Sequence, residues 1–207
     1  MSKASVSVAA ISVVAILAVW SSAAQAQSAA PPAGTTPVMA PTLAPAKGDR
    51  KLTVTSTAFK NGETFPEIYT QNGQNISPPL SWSRGPAGTK SYVILTEDSG
   101  VARPQPVFHW VLYNVPAEVT SLPQALPTDA KLSMPAGAMN GLNIRKAAGY
   151  MGPKPPAGQT HPYHFEVFAV DQMLDLDPAS ADRNAVVTAM KGHVLAQGEI
   201  VGTYTGK

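Results

Sequence analysis

VFHWVLYNV, residues 107–115, is the stretch that decides the fold class. Valine, phenylalanine, tryptophan and tyrosine crowd it, residue types that fit a pleated, half-buried surface. Pro116 follows, and a proline has no N–H to carry a ladder onward. The run is too short and too β-branched for a buried helix, so it reads as a strand. Working outward, SYVILT (91–96) is a short apolar run suited to a buried strand, and YHFEVFAV (163–170) is another, ended by the polar Asp171. KLTVTST (51–57) alternates apolar and polar residues as a half-buried strand does, and residues 195–204 return to strand. One helix is expected near residue 180, with Ser180 as N-cap, Asp182 in the first turn and Gly192 as the stop. Pro/Gly-rich loops join these pieces, the longest over residues 149–160. The fold class is mainly β, with no internal repeat.

Composition divides the chain before any motif is read. Of 207 residues only 14% are charged, against the usual ~25%. The first fifty residues hold just Lys3, Lys47, Asp49 and Arg50. Lys3 followed by the apolar VSVAAISVVAILAVW (6–20) and Ala24-Gln25-Ala26 has the three parts of a secretory signal, with cleavage expected after Ala26. The alternative, a membrane anchor, needs ~20 apolar residues and a basic flank. A periplasmic or secreted location follows, with membrane contact only through an uncleaved signal. Residues 27–50, rich in Ala and Pro, are expected to be a disordered linker that the domain can lose. The domain itself is placed at 51–207.

Several function classes are excluded. The chain has no cysteine, so disulfides, thiolate metal sites and a cysteine nucleophile drop out. The net charge is +2, with lysines and arginines scattered, so nucleic acid is not an expected partner. No phosphate loop, GxSxG elbow or HExxH is present. His161 and His164 have an HxxH spacing, but strand alternation points them apart, with His161 and Tyr163 on one face. No metal and no cofactor is expected. His109, inside an apolar strand, reads from pattern alone as a satisfied core residue, and Asp98 at a strand tip reads as a turn former.

Asn75-Ile76-Ser77-Pro78-Pro79-Leu80-Ser81-Trp82 resembles a signature of the bacterial phosphatidylethanolamine-binding proteins, the Raf kinase inhibitor-like YbhB/YbcL branch. The likeness continues through residues 86–91, His109-Trp110 to Ala117, Gly152-Pro153-Lys154-Pro155-Pro156, His161-Pro162-Tyr163 and Lys191 to Ala196. It implies a β-sandwich of largely antiparallel strands with one or two short helices. It also implies a small cavity for phosphate-like anions lined by Asp98, His109, Gly152, Pro155, His161 and Tyr163, with Pro153 and Pro156 as alternatives to Pro155. Asp98 would orient a histidine or accept from a protonated ligand oxygen. The family's DPDxP stands here as Asp98-Ser99-Gly100-Val101-Ala102, and its HRY as His161-Pro162-Tyr163. The expected role is non-enzymatic binding of a small anion. A protein-interaction inhibitor and a weak phosphoester hydrolase are the alternatives, since no nucleophile, base and orienter set is visible in the sequence.

Overall fold

Ser91–Asp98 (β3) has all eight residues buried, which requires a strand covered on both faces. The computed structural model describes Met1 and residues 35–207, and supplies both covers. The expected signal, residues 1–26, apart from Met1, and the linker from residue 27 to 34 lie outside the described residues.

The centre is a five-stranded antiparallel sheet in the order Met139–Asn140 (β6), Val107–Pro116 (β4), β3, Thr160–Val170 (β7) and Val194–Thr205 (β8). Val54–Thr55 (β1), Leu80–Trp82 (β2) and Ser121–Leu122 (β5) form a second, three-stranded sheet. Tyr92 and Ile94 of β3 pack toward this small sheet with Trp82, Phe165 and Val167; Val93 and Leu95 point the other way, to Val186, Val187 and Met190 of the helix Arg183–Met190 (α2). The alternation of one strand thus feeds two separate cores. The fold is mainly β, as the sequence reading has it.

Local differences have physical causes. The strand expected over 51–57 is continuous only at Val54–Thr55, with an isolated bridge from Lys51 to Gln197, although Leu52 and Val54 are buried and their neighbours exposed. The helix is capped by Asp182 rather than Ser180: its carboxylate accepts the N–H groups of Asn184 and Ala185, satisfying two free donors of the first turn. Gly192 takes φ +74° just past the helix, a conformation glycine adopts without strain.

The largest difference is the linker. Its described part, from residue 35 to 50, packs on the domain. Ala40–Leu43 makes one helical turn (α1), and Ala40 and Ala44 are fully buried beside Val187 and Met190. Polar ties hold it: Ala40 N–H donates to Glu97 Oε2 at 3.0 Å, Arg183 Nη2 donates to the Val38 carbonyl at 2.8 Å, Lys47 Nζ pairs with Asp171 at 2.9 Å, and the Val38 and Lys47 N–H groups donate to the Pro104 and Val194 carbonyls at 3.0 and 2.9 Å. Glu97 and Arg183 are themselves paired and buried.

Candidate functional site

Strands β3, β4 and β7 deliver four polar side chains to one end of the sheet. Asp98 closes β3 and stands opposite Tyr163 of β7 and Val107 of β4. His161 lies two residues before Tyr163 and so shares its face. On β4 the register slips between Thr96 opposite Trp110 and Glu97 opposite Phe108, which leaves His109 as an extra residue. Such a bulge re-aims a side chain. It brings the His109 ring edge-on to Tyr163 with centroids 5.2 Å apart.

These residues line a cleft of about 370 Å³, with Val101, Met151 and Pro155 among its walls. Five of the six residues implied by the sequence meet there: Asp98, His109, Pro155, His161 and Tyr163. Pro156 lines it too, and Pro153 is not among the lining residues. Gly152 stands behind the wall. A β-carbon there would come within 2.4 Å of the Tyr69 carbonyl, so only glycine lets residues 151–156 press against the 69–75 loop. Gly152 N–H donates to Asn75 Oδ1 at 2.7 Å, and Gln71 Nε2 donates back to the Gly152 carbonyl at 2.7 Å. Asn75 holds φ +58°, a left-handed conformation asparagine tolerates better than most residues.

Each polar group has a definable state. His109 Nδ1 donates to the Met151 carbonyl at 2.8 Å, so the neutral ring keeps a lone pair on Nε2. Burial pushes the His109 pKa down, and the Met151 carbonyl only partly opposes this. Asp98 accepts from His161 Nδ1 at 2.9 and 3.1 Å and from Gly100 N–H at 2.7 Å. It therefore orients His161. Tyr163 is fully buried; that burial, and then the charge of Asp98, raise its phenol pKa far above the ordinary value of 10.0. Among the described residues, His109 Nε2, Tyr163 Oη and Arg103 Nε are buried with no partner at hydrogen-bond geometry, although the Asp98 carboxylate lies near enough to Tyr163 to act on its phenol. All three belong to residues lining the cleft.

Sequence reasoning missed the cations. Arg103, Arg145 and Lys154 line the cleft against one carboxylate, that of Asp98. Lys154 was visible inside the GPKPP stretch; Arg103 and Arg145 come from loops whose distance in sequence hides their convergence.

The comparisons with known proteins fit this geometry. A family model described as phosphatidylethanolamine-binding protein matches residues 55–205. A UPF0098 protein of Methanothermobacter thermautotrophicus is 40% identical over 148 residues, 71% of this chain and 94% of that one. One from Aquifex aeolicus is 39% identical over 160 residues, 76% and 90% of the two chains. The chain belongs to the phosphatidylethanolamine-binding protein family. Among solved structures, Escherichia coli YbcL superposes with a TM-score of 0.70 at 31% identity, covering 76% of this chain and all of that one. The homolog CT736 of Chlamydia trachomatis gives 0.67 at 32%, covering 77% and 100%. The likeness to YbcL is consistent with the YbhB/YbcL branch.

In this chain the two altered motifs have structural reasons. Gly100 stands where the DPDxP pattern has its second acid. A β-carbon at 100 would lie 2.5 Å from His161 Cγ, so the glycine leaves room for the ring that Asp98 holds. Pro162 costs no ladder bond. Its carbonyl accepts Ser99 N–H at 3.3 Å, and a strand residue's N–H and C=O point the same way, so its missing donor faces beyond the end of β3.

Proposed function

We propose that this chain is an exported binding protein whose cleft holds a small phosphate-like anion. One observation carries the reading: three buried polar atoms without partners at hydrogen-bond geometry among the described residues, His109 Nε2, Tyr163 Oη and Arg103 Nε, belong to one cleft whose rim adds Arg145 and Lys154. Unpaired buried polar atoms are costly and rare, and cost of order 1–3 kcal/mol each. A tetrahedral anion answers them together. The tyrosine and arginine donate to anionic oxygens, and His109 Nε2 accepts from a protonated oxygen of the anion or takes up a proton itself. An ammonium group would meet only Asp98, already committed to His161 and Gly100, which weighs against recognition of an ethanolamine head. Export rests on the Lys3, apolar run and Ala24-Gln25-Ala26 arrangement, and N-terminal sequencing of protein from the cell envelope checks it.

Titrating inorganic phosphate at constant ionic strength tests the binding. A ligand at one hundred times its Kd adds ~2.7 kcal/mol of stability, read as a rise in Tm. Arg103→Ala and Tyr163→Phe should each weaken the rise by removing a donor. No rise with phosphate or a phosphomonoester would sink the proposal and leave interaction with a protein as the better reading.

A further inference from the structure

Across the sheet from the cleft, the same strand ends carry a second constellation. Ser99 stands one residue past β3, His164 lies on β7 and Glu199 on β8, three ribbons that neighbour one another in the sheet. Glu97 faces His164 across the β3–β7 ladder, and Ser99, two residues on, keeps that face. On the other side Val201 is the direct partner of His164, which puts Glu199 on its diagonal, within reach of a long side chain. The side chains close the line. Ser99 Oγ is 2.9 Å from His164 Nε2, and His164 Nδ1 is 2.9 Å from Glu199 Oε2.

The polarity of this line is fixed by its acid. The hydrogen bond from His164 holds the Glu199 carboxyl below its ordinary range, so it is a carboxylate that can only accept. Nδ1 of His164 must then carry its hydrogen, Nε2 of the neutral ring keeps a lone pair, and the Ser99 hydroxyl donates to it. Nucleophile, base and orienter stand in that order in serine hydrolases on unrelated folds. Other titratable groups face His164 from the same strands: Glu97, paired with Arg183 of α2, and Glu166, whose carboxyl pKa burial and then the charge of Glu97 raise. Ser99 and His164 are half-buried and Glu199 is exposed, so small reagents reach the line from solvent.

We propose that Ser99 is a nucleophile, activated by His164 and Glu199, that takes acyl groups from activated esters. Ser99 Oγ bonds to the ester carbonyl carbon while its proton passes to His164 Nε2. The carbon–oxygen bond to the leaving group breaks, and the departing alkoxide or phenoxide takes its proton from His164 or from water. Water later attacks the acyl-serine, releasing the carboxylic acid and restoring the hydroxyl. The backbone limits the rate. Ser99 N–H is bonded to the Pro162 carbonyl and Gly100 N–H to Asp98, so neither amide of the nucleophile's own turn is free to hold an oxyanion. Loss of one such donor slows a hydrolase by roughly 10²–10³-fold. The site therefore favours esters with good leaving groups, and the acyl-serine should accumulate.

The test treats the full chain with p-nitrophenyl acetate, follows p-nitrophenolate release and locates the acetyl group by peptide mass mapping. The expected result is one acetyl per chain on Ser99. Ser99→Ala and His164→Gln should each slow release at least tenfold. Glu199→Gln should slow it less, because His164 Nδ1 loses the carboxylate that orients the ring. His193→Gln, whose ring pairs with Asp171 elsewhere, should change nothing. Acetyl groups on lysine or tyrosine with Ser99 unmodified in the unaltered chain would overturn the proposal without recourse to any variant. Release at full rate from Ser99→Ala would overturn it as well. Either failure leaves phosphate binding in the cleft untouched.

Discussion

Glu97 and Asp98 are consecutive, acidic and buried, at 0% and 4% exposure, yet they end in opposite situations. Alternation sends Asp98 to the face where the cleft lies and Glu97 to the face covered by α1 and α2. Asp98 holds His161 at the floor of a cleft whose other polar atoms are unsatisfied. Glu97 is closed off by the chain itself: Arg183 pairs with one oxygen and Ala40 N–H with the other, and Arg183 in turn reaches the Val38 carbonyl. A strand end in this fold delivers a carboxylate to each side of the sheet. What decides whether it becomes a site is whether another segment of the chain occupies it. The 151–156 loop, held back against residues 69–75, leaves Asp98 beside an open cleft, and the N-terminal arm closes over Glu97.

Removing the partner of the closed carboxylate should have the largest effect. Arg183→Met leaves Glu97 buried and unpaired, at a cost of about 3–5 kcal/mol. Urea unfolding reads this as a lowered midpoint, and the double change Glu97→Gln with Arg183→Met should recover most of it. A double variant as unstable as the single would mean the pair is not the source of the loss. Next is the arm. A chain beginning at residue 48 loses two hydrogen bonds to that pair and the burial of Ala40 and Ala44. At ~1.5–3 kcal/mol for a bond to a charged group, it should be less stable by about 3 kcal/mol. An unchanged Tm would mean that the arm lies on the domain without stabilising it.

A smaller effect concerns pH on the closed side. Burial raises the Glu166 carboxyl well above its ordinary 4.5, followed by the charges of Glu97 and Glu199. The folded chain keeps that proton while the unfolded chain loses it, so stability falls as pH rises past the unfolded value toward the folded one. Glu166→Gln should flatten this decline; a decline of unchanged slope would place its origin in other groups. His109 has the opposite sign. Its pKa is lowered by folding, so its contribution is full above 6.5 and is lost as pH falls below that. The smallest effect belongs to the open side. Gly100→Ala pushes the His161 ring off Asp98, and the loss of ~1 kcal/mol of hydrogen bonding should lower the Tm of the free chain by only about 2–4 °C while weakening phosphate binding several-fold.

Much of the fold was legible because β4, β7 and β8 are long and rich in β-branched and aromatic residues. Strands β2, β5 and β6 have two or three residues each, too few for a period to show. Alternation was enough to place His161 with Tyr163 and to turn His164 away. It could not place His109, whose direction depends on a bulge set by pairing with a distant strand. The arm misleads for a different reason. Ala and Pro carry little apolar signal, and what fixes Ala40 is Glu97, 57 residues further along. Arg103, Arg145 and the Ser99, His164 and Glu199 line were hidden in the same way, because each member comes from a different strand or loop and none has a local motif.

The central claim is that an anion meets the cleft side of these strand ends and not the outer side. Nitrogen chemical shifts of the four imidazole rings during a phosphate titration test it most directly. The account predicts large changes at His109 Nε2, smaller ones at His161, and almost none at His164 and His193, with His109 Nδ1 remaining protonated throughout. Equal movement of all four rings, or movement of His164 alone, would contradict it.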